Sequence, residues 1–175
     1  MTEDLRYPVG RFSRPADVTP ARRQQWIAAI AAAPAALRAA VAGLTDAQLD
    51  TPYRPDGWTA RQVAHHVPDS HLNSYVRFRW ALTEDEPVIK AYDEKAWAEL
   101  IDARTAPVAL SLALLDALHE RWVLLLQAMT EADYARVFQH PERGPMRLDH
   151  NLALYAWHGR HHVAHITSLR ARNGW

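Results

Sequence analysis

Four histidines fall within eight residues near the end of the chain, in Leu152-Ala-Leu-Tyr-Ala-Trp-His158-Gly-Arg-His161-His162-Val-Ala-His165-Ile166. His158 and His162 stand four apart, and so do His161 and His165. Residues four apart share one face of a helix, so two imidazoles at that spacing can reach a single ion. This is the geometry of HxxxH metal motifs. At 100° per residue the apolar stripe runs through Leu152, Tyr155, Ala156, Val163 and Ile166. His162 falls about 50° and His158 about 90° from the centre of that stripe. His161 and His165 fall about 150° and 110° away. The spacing thus predicts that His158 and His162 flank the buried face, and that His161 and His165 turn toward solvent. Two imidazoles do not complete a site. A zinc-like catalytic centre takes three protein ligands and keeps a fourth position for water.

The composition narrows the donors. The chain has 175 residues, 49% of them hydrophobic, with 20 basic and 20 acidic side chains. That length suits one domain over residues 1–175 with a core of its own. Balanced charge gives no field for nucleic acid and no acidic tail. There is no cysteine. Disulfides, thiolate metal sites and a cysteine nucleophile are therefore excluded, and a metal must be held by nitrogen and oxygen. The absence of cysteine fits a reducing cytosol. The acidic start Met-Thr-Glu-Asp does not read as a signal peptide. The long apolar run from Trp26 to Leu44 is mostly alanine and carries Pro34 and Arg38, so it reads as a core helix rather than a membrane span.

Four long helices must position the histidines. Residues 1–18 are turn-rich and predict an irregular arm lying on the domain or on a partner subunit. The first long helix begins at Thr19-Pro20 and ends at Gly43, with Pro34 expected to kink or split it. Thr45 and Gln48 form a capping box, and so do Thr59 and Gln62. The second box opens a helix from Ala60 to about Leu82 that carries His65, His66 and His71. Pro68 removes the bond to the carbonyl of Ala64, and a local distortion is expected there. Residues 83–106 form a long connection with a short helix near Asp93–Leu100. The third long helix runs from Pro107 to about Met129, with its apolar stripe through Leu112, Leu115, Leu118 and Trp122. A short helical piece over Thr130–Val137 and a turn-rich loop at His140–Pro145 follow. Asp149 then caps the last helix, which ends near Asn173-Gly174. No stretch shows convincing period-two alternation. The expected fold is an all-α four-helix bundle.

In a bundle, ligands on facing helices converge in the core. The helix opening at Ala60 therefore offers the third ligand, from His65, His66 or His71. Periodicity favours His71, which shares the apolar face with Val67, Tyr75 and Phe78. His66 lies nearer a polar stripe with Ser70, Asn73 and Arg77.

The stretch Gly57-Trp-Thr-Ala-Arg-Gln-Val-Ala-His-His-Val-Pro-Asp-Ser-His71 resembles the corresponding helix of the DinB superfamily. Within it, the chain is similar to the YfiT-like branch of metal-dependent hydrolases, related to bacillithiol transferases. The likeness extends over Tyr7–Gly10, Leu49–Arg54, Ala81–Glu84, Tyr92–Trp97 and Leu154–His162, and so over nearly the whole chain. It implies a four-helix bundle with one divalent ion per chain, held by one histidine of the second long helix and an HxxxH pair of the fourth. Carried over residue by residue, the ligands are His66, His158 and His162. The ligand eight positions after the tryptophan of Gly-Trp-Thr is His66, which overrides the periodic preference for His71. Pro68 stands where the family often has alanine. The resemblance also implies a cytoplasmic homodimer that acts on a small molecule, and the charge balance and the lack of a spanning segment predict no nucleic acid or membrane partner.

Three neutral imidazoles suit zinc, and also nickel. A metal so held supports hydrolysis by an activated water. It supports equally a transfer in which a low-molecular-weight thiol attacks an electrophile. A non-enzymatic metal or interaction bundle is the third alternative. No residue is identifiable as the general acid or base: Asp69 and Glu120 come into question, and both better suit salt bridges or caps. Arg77 and Arg160 could hold an anionic group, although as exposed helix residues they more readily make ordinary ion pairs. Trp157 and Trp122 could line a pocket or pack in the core.

Overall fold

The computed structural model describes residues 4–175. Four long helices carry the structure: α1 (Pro20–Val41), α3 (Ala60–Thr83), α6 (Val108–Ala128) and α8 (Leu148–Asn173). Between them lie the one- to two-turn helices α2 (Asp46–Leu49), α4 (Glu94–Ala98), α5 (Ile101–Thr105) and α7 (Glu131–Ala135). The long helices pack as a four-sided bundle. Helix α8 touches α1 and α3, α6 touches the same two, and the diagonal partners α1 and α3 barely meet. No helix is long and apolar enough to cross a membrane among the described residues.

Local chemistry sets the helix ends. Thr59 and Gln62 form the capping box that starts α3, and Thr45 and Gln48 the one that starts α2. Each box satisfies amides that the first turn leaves free. The start of α3 is pinned further by Arg61, which is buried. Its guanidinium donates to Asp50 (2.6 Å), Asp46 (2.8 Å) and the carbonyl of Ala106 (3.2 Å). Gln62 donates to the carbonyl of Ala98 (2.8 Å). His66 follows Gln62 by one turn, so these contacts fix its height in the bundle.

Both internal prolines sit within unbroken helices: Pro34 neither splits α1 nor Pro68 α3. The bundle packing outweighs the lost bonds. Helix α8 opens differently from expectation. Arg147 occupies the cap position without a side-chain cap bond. Asp149 is buried and takes the Arg147 guanidinium instead (2.5 Å). The end of α8 is as expected, with Gly174 in the left-handed region (φ 70°). The loop before α8 is a hairpin, β1 (Val137–His140) paired antiparallel with β2 (Gly144–Arg147). The preceding connection docks on β1, where the Ile89 amide donates to the Gln139 carbonyl (3.0 Å).

The core has two apolar clusters. One gathers Ile27, Ile30, Phe78, Trp122, Leu126, Leu152 and Tyr155. The other gathers Leu37, Val63, Val67, Leu112, Leu115 and Ile166. Between the two clusters α3 carries His71 and α8 carries His158, and α1 carries Ala33 and Pro34. There α1 and α8 approach closely at Gly159: a Cβ at that position would stand 3.3 Å from the Ala33 Cβ and 3.6 Å from His71 Cε1.

Candidate metal centre

His66 on α3 and His158 and His162 on α8 meet at the floor of a cleft of about 340 Å³. One ring nitrogen from each lies within 4.8 Å of the others. The ring centroids form a triangle with sides of 5.3 Å (His66–His158), 4.7 Å (His66–His162) and 4.4 Å (His158–His162). The Nε2 atoms of His66 and His158 face each other at 3.3 Å. Burial pushes the His66 imidazole down to about 4, with His161 and His165 adding to the effect. Burial also holds His158 and His162 well below the usual histidine range. At neutral pH all three are uncharged and carry a free lone pair.

His71, favoured by periodicity, does not join the trio. It is fully buried and bridges two other histidines. His119 Nδ1 lies 2.6 Å from the carbonyl of Ile30, which can only accept, so this nitrogen carries the proton. His119 Nε2 is then the acceptor for His71 Nδ1–H (2.8 Å). His71 Nε2 in turn accepts from His158 Nδ1–H (3.1 Å). Each imidazole is held neutral by burial, with His119 pushed down to about 4. The tautomers are therefore fixed in series, and His158 presents a bare Nε2 to the cleft. The Ile30 carbonyl is available because Pro34, four residues on, has no N–H to bond it.

About half of the cleft lining comes from outside the long helices. Trp58 precedes α3; Ala91, Tyr92 and Glu94 belong to the connection; His140, Glu142 and Arg143 belong to the hairpin. Arg77 also lines the cleft and is 8% exposed, so it is not the exposed helix residue that its pattern suggested. Among the described residues it joins none of the ion pairs. It and Arg143 draw on Glu94, whose carboxyl burial pushes up against their pull. Burial raises the Tyr92 phenol, so it stays protonated. These wall residues escaped the helical pattern. Trp58, Tyr92 and Glu94 carried a signal, within the Gly57–His71 and Tyr92–Trp97 likenesses, and Arg77 and Trp157 were candidates by residue type.

The remaining candidates fall elsewhere. Asp69 and Glu120 do not line the cleft. Glu120 lies on a larger, mostly apolar groove between α1 and α6, away from the three imidazoles. Arg160 is exposed and Trp157 lines the cleft, whereas Trp122 is fully buried core. His65 is tied to Ser111 (2.7 Å) and the Ala106 carbonyl (3.0 Å). His161 and His165 are buried rather than solvent-facing, at 7% and 3% exposure. The N-terminal arm lies over them on the chain's own α8. Its Tyr7 ring is 5.9 Å from His161, and the Arg6 carbonyl accepts from His165 Nε2 (3.2 Å).

Two measurements follow. His119→Phe keeps the ring volume but ends the series of fixed tautomers. Nitrogen-15 NMR should then show mixed His158 tautomers, and zinc affinity measured against a chromogenic chelator should fall about 10- to 100-fold. An unchanged tautomer would refute the relay. The second concerns Asp69, whose carboxyl burial and Asp102 push up to about 6. Between about pH 4 and 6 the folded chain holds a proton that the unfolded chain has lost, so stability falls as pH rises through this window. Asp69→Asn should therefore stabilise the protein by about 1 kcal/mol at pH 8 and by nothing near pH 4, in urea titrations at each pH.

Comparison with known proteins accords with this geometry. The sequence profile of the DinB superfamily matches residues 21–166. A Bacillus mycoides (strain KBAB4) protein named "putative metal-dependent hydrolase" is 53% identical over 99% of each chain. YfiT of Bacillus subtilis (strain 168), with the same description, is 49% identical over 98% of this chain and 97% of its own. The solved structure of YfiT, which has an unusual four-helix bundle topology, superposes with a TM-score of 0.96 at 48% identity, over 98% of this chain and 99% of that one. TT2238, a four-helix bundle protein, shares the fold at a TM-score of 0.55 and 22% identity, over 87% of this chain and 99% of that one. The chain is a four-helix bundle and belongs to the DinB superfamily.

Proposed function

We propose that the protein is a metal-dependent hydrolase whose divalent ion, zinc or nickel, is held by His66, His158 and His162. The observation that carries this reading is the open trio. Three uncharged imidazoles converge in a solvent-accessible cleft, and His71, which bonds to His158, spends both ring nitrogens on His119 and His158. Structural zinc sites are closed by four protein ligands, whereas catalytic ones keep a position free. The names of the relatives point the same way.

A divalent ion bound by neutral ligands keeps its full charge, lowering the pKa of water toward neutrality and polarising a substrate oxygen. The chain's own residues do the rest. The relay from Ile30 holds the His158 lone pair toward the ligand position. Arg77 is poised to grip an anionic or carbonyl oxygen of the substrate, with Arg143 at the rim. The protonated Tyr92 can donate a hydrogen bond to a leaving oxygen. Trp58, Tyr155 and Trp157 give the cleft apolar walls that orient a small molecule and limit water.

The test starts with metal content on tag-free protein, followed by turnover of a panel of activated esters and small amides, with and without a cellular thiol. Wild type should retain zinc or nickel and hydrolyse with water alone. His162→Ala should lose turnover by at least about 100-fold while its helical circular dichroism persists. Strict thiol dependence without net hydrolysis would replace the reading with thiol transfer. Failure to take up either metal would overturn it altogether. Arg77→Ala should raise KM more than it lowers kcat for anionic members of the panel, and an equal effect on uncharged members would remove Arg77 from substrate binding.

A further inference from the structure

The histidine run of α8 has a second half that the cleft trio does not use. His161 and His165 are buried beside His162. The three centroids form a triangle of 4.9 Å (His161–His162), 4.3 Å (His161–His165) and 5.2 Å (His162–His165), with interplanar angles of 72°, 68° and 68°. The cleft trio has nearly the same triangle, with angles of 51°, 68° and 64°. Here too, one ligand nitrogen from each ring lies within 4.8 Å of the others.

The hydrogen bonding of these rings is incomplete. The Nδ1 atoms of His161, His162 and His165 are all buried without a partner. A buried ring nitrogen left unpaired carries its full desolvation cost. For His165 the tautomer follows from its other nitrogen. The Arg6 carbonyl at 3.2 Å only accepts, so Nε2 carries the proton and Nδ1 is a bare lone pair. A carbonyl on the distal nitrogen is how metal-bound imidazoles are oriented in general. Stacking holds the other rings: Tyr53 lies on His165 (4.0 Å, 20°) and Trp157 on His161 (4.3 Å, 18°). The nearby Arg54 cation is turned to the Pro55 carbonyl (2.8 Å).

We propose that His161, His162 and His165 form a second divalent-cation site, for a metal of the zinc, nickel and copper class, roofed by the N-terminal arm. It rests on the hydrolase reading only in sharing His162. A neutral imidazole has one free lone pair, so His162 serves both ions together only when its N–H proton leaves to solvent. That loss and the repulsion between two dications make the second ion the weaker one.

The test is a zinc titration of chelator-stripped, tag-free protein. Wild type should bind two ions per chain, the second at least about tenfold more weakly. The double variant His161→Phe, His165→Phe keeps both stacked rings and should bind one ion at the tighter affinity. His66→Phe should keep one ion, held more tightly than the second ion of wild type because the repulsion from the first ion is gone. One ion in wild type and none in His66→Phe would overturn the second site and leave the cleft reading standing. Two ions in the double variant would also overturn it. No zinc in wild type would remove both. Anomalous diffraction at the zinc edge on unmutated crystals answers the same question without variants. Two peaks, one bounded by His161 and His165, are expected, and a single peak or a water there would overturn the site.

Discussion

A backbone carbonyl that its own helix leaves free is the fixed point of this structure. Pro34 withholds the amide that would bond Ile30, and His119 takes that carbonyl. From this one acceptor the protonation of three buried imidazoles is settled in order, ending at the nitrogen that faces the cleft. The arrangement resolves a general difficulty. Imidazoles in an apolar bundle must be paired, or their burial is costly. Here the pairing also decides which nitrogen of each ring is basic. The same proline that a helix would ordinarily exclude is thus tied to the chemistry of the neighbouring helix α8.

Duties are divided by element type. The long helices supply the converging histidines, held in place by two apolar clusters on either side. The connection before α4 and the β1–β2 hairpin supply much of the polar cleft wall. Rigid elements hold the geometry that must be accurate, Arg77 of α3 included, and the connecting segments add Tyr92 and Arg143. The close approach at Gly159 belongs to the first task, because a side chain there would crowd Ala33 of α1.

The bundle, both capping boxes and the inward tilt of His158 and His162 were legible from helical period and cap chemistry. The third histidine was not. Nearly every residue of α3 from Ala60 to His71 is buried, since α2, α4 and α5 cover the side that the bundle leaves open. A helix without a solvent face gives periodicity nothing to contrast, so His71 and His66 could not be ranked that way. His161 and His165 were misplaced for a related reason. What covers them is an irregular arm and a loop, which helical period does not register. The hairpin strands, four residues each and interrupted by Gly144 and Pro145, are too short for alternation to show. Arg77 was read as a surface residue because the cleft wall facing it comes from chain far away in sequence.

The donor set also bears on how the protein would meet oxidative stress. Thiolate zinc centres release their metal when peroxide or disulfide reagents convert the ligating sulfur. This chain has no cysteine, and every donor that the cleft trio offers a metal is an imidazole nitrogen. No ligand sulfur is available to oxidise. A centre built this way would keep working under the conditions that generate electrophiles and silence sulfur-based sites.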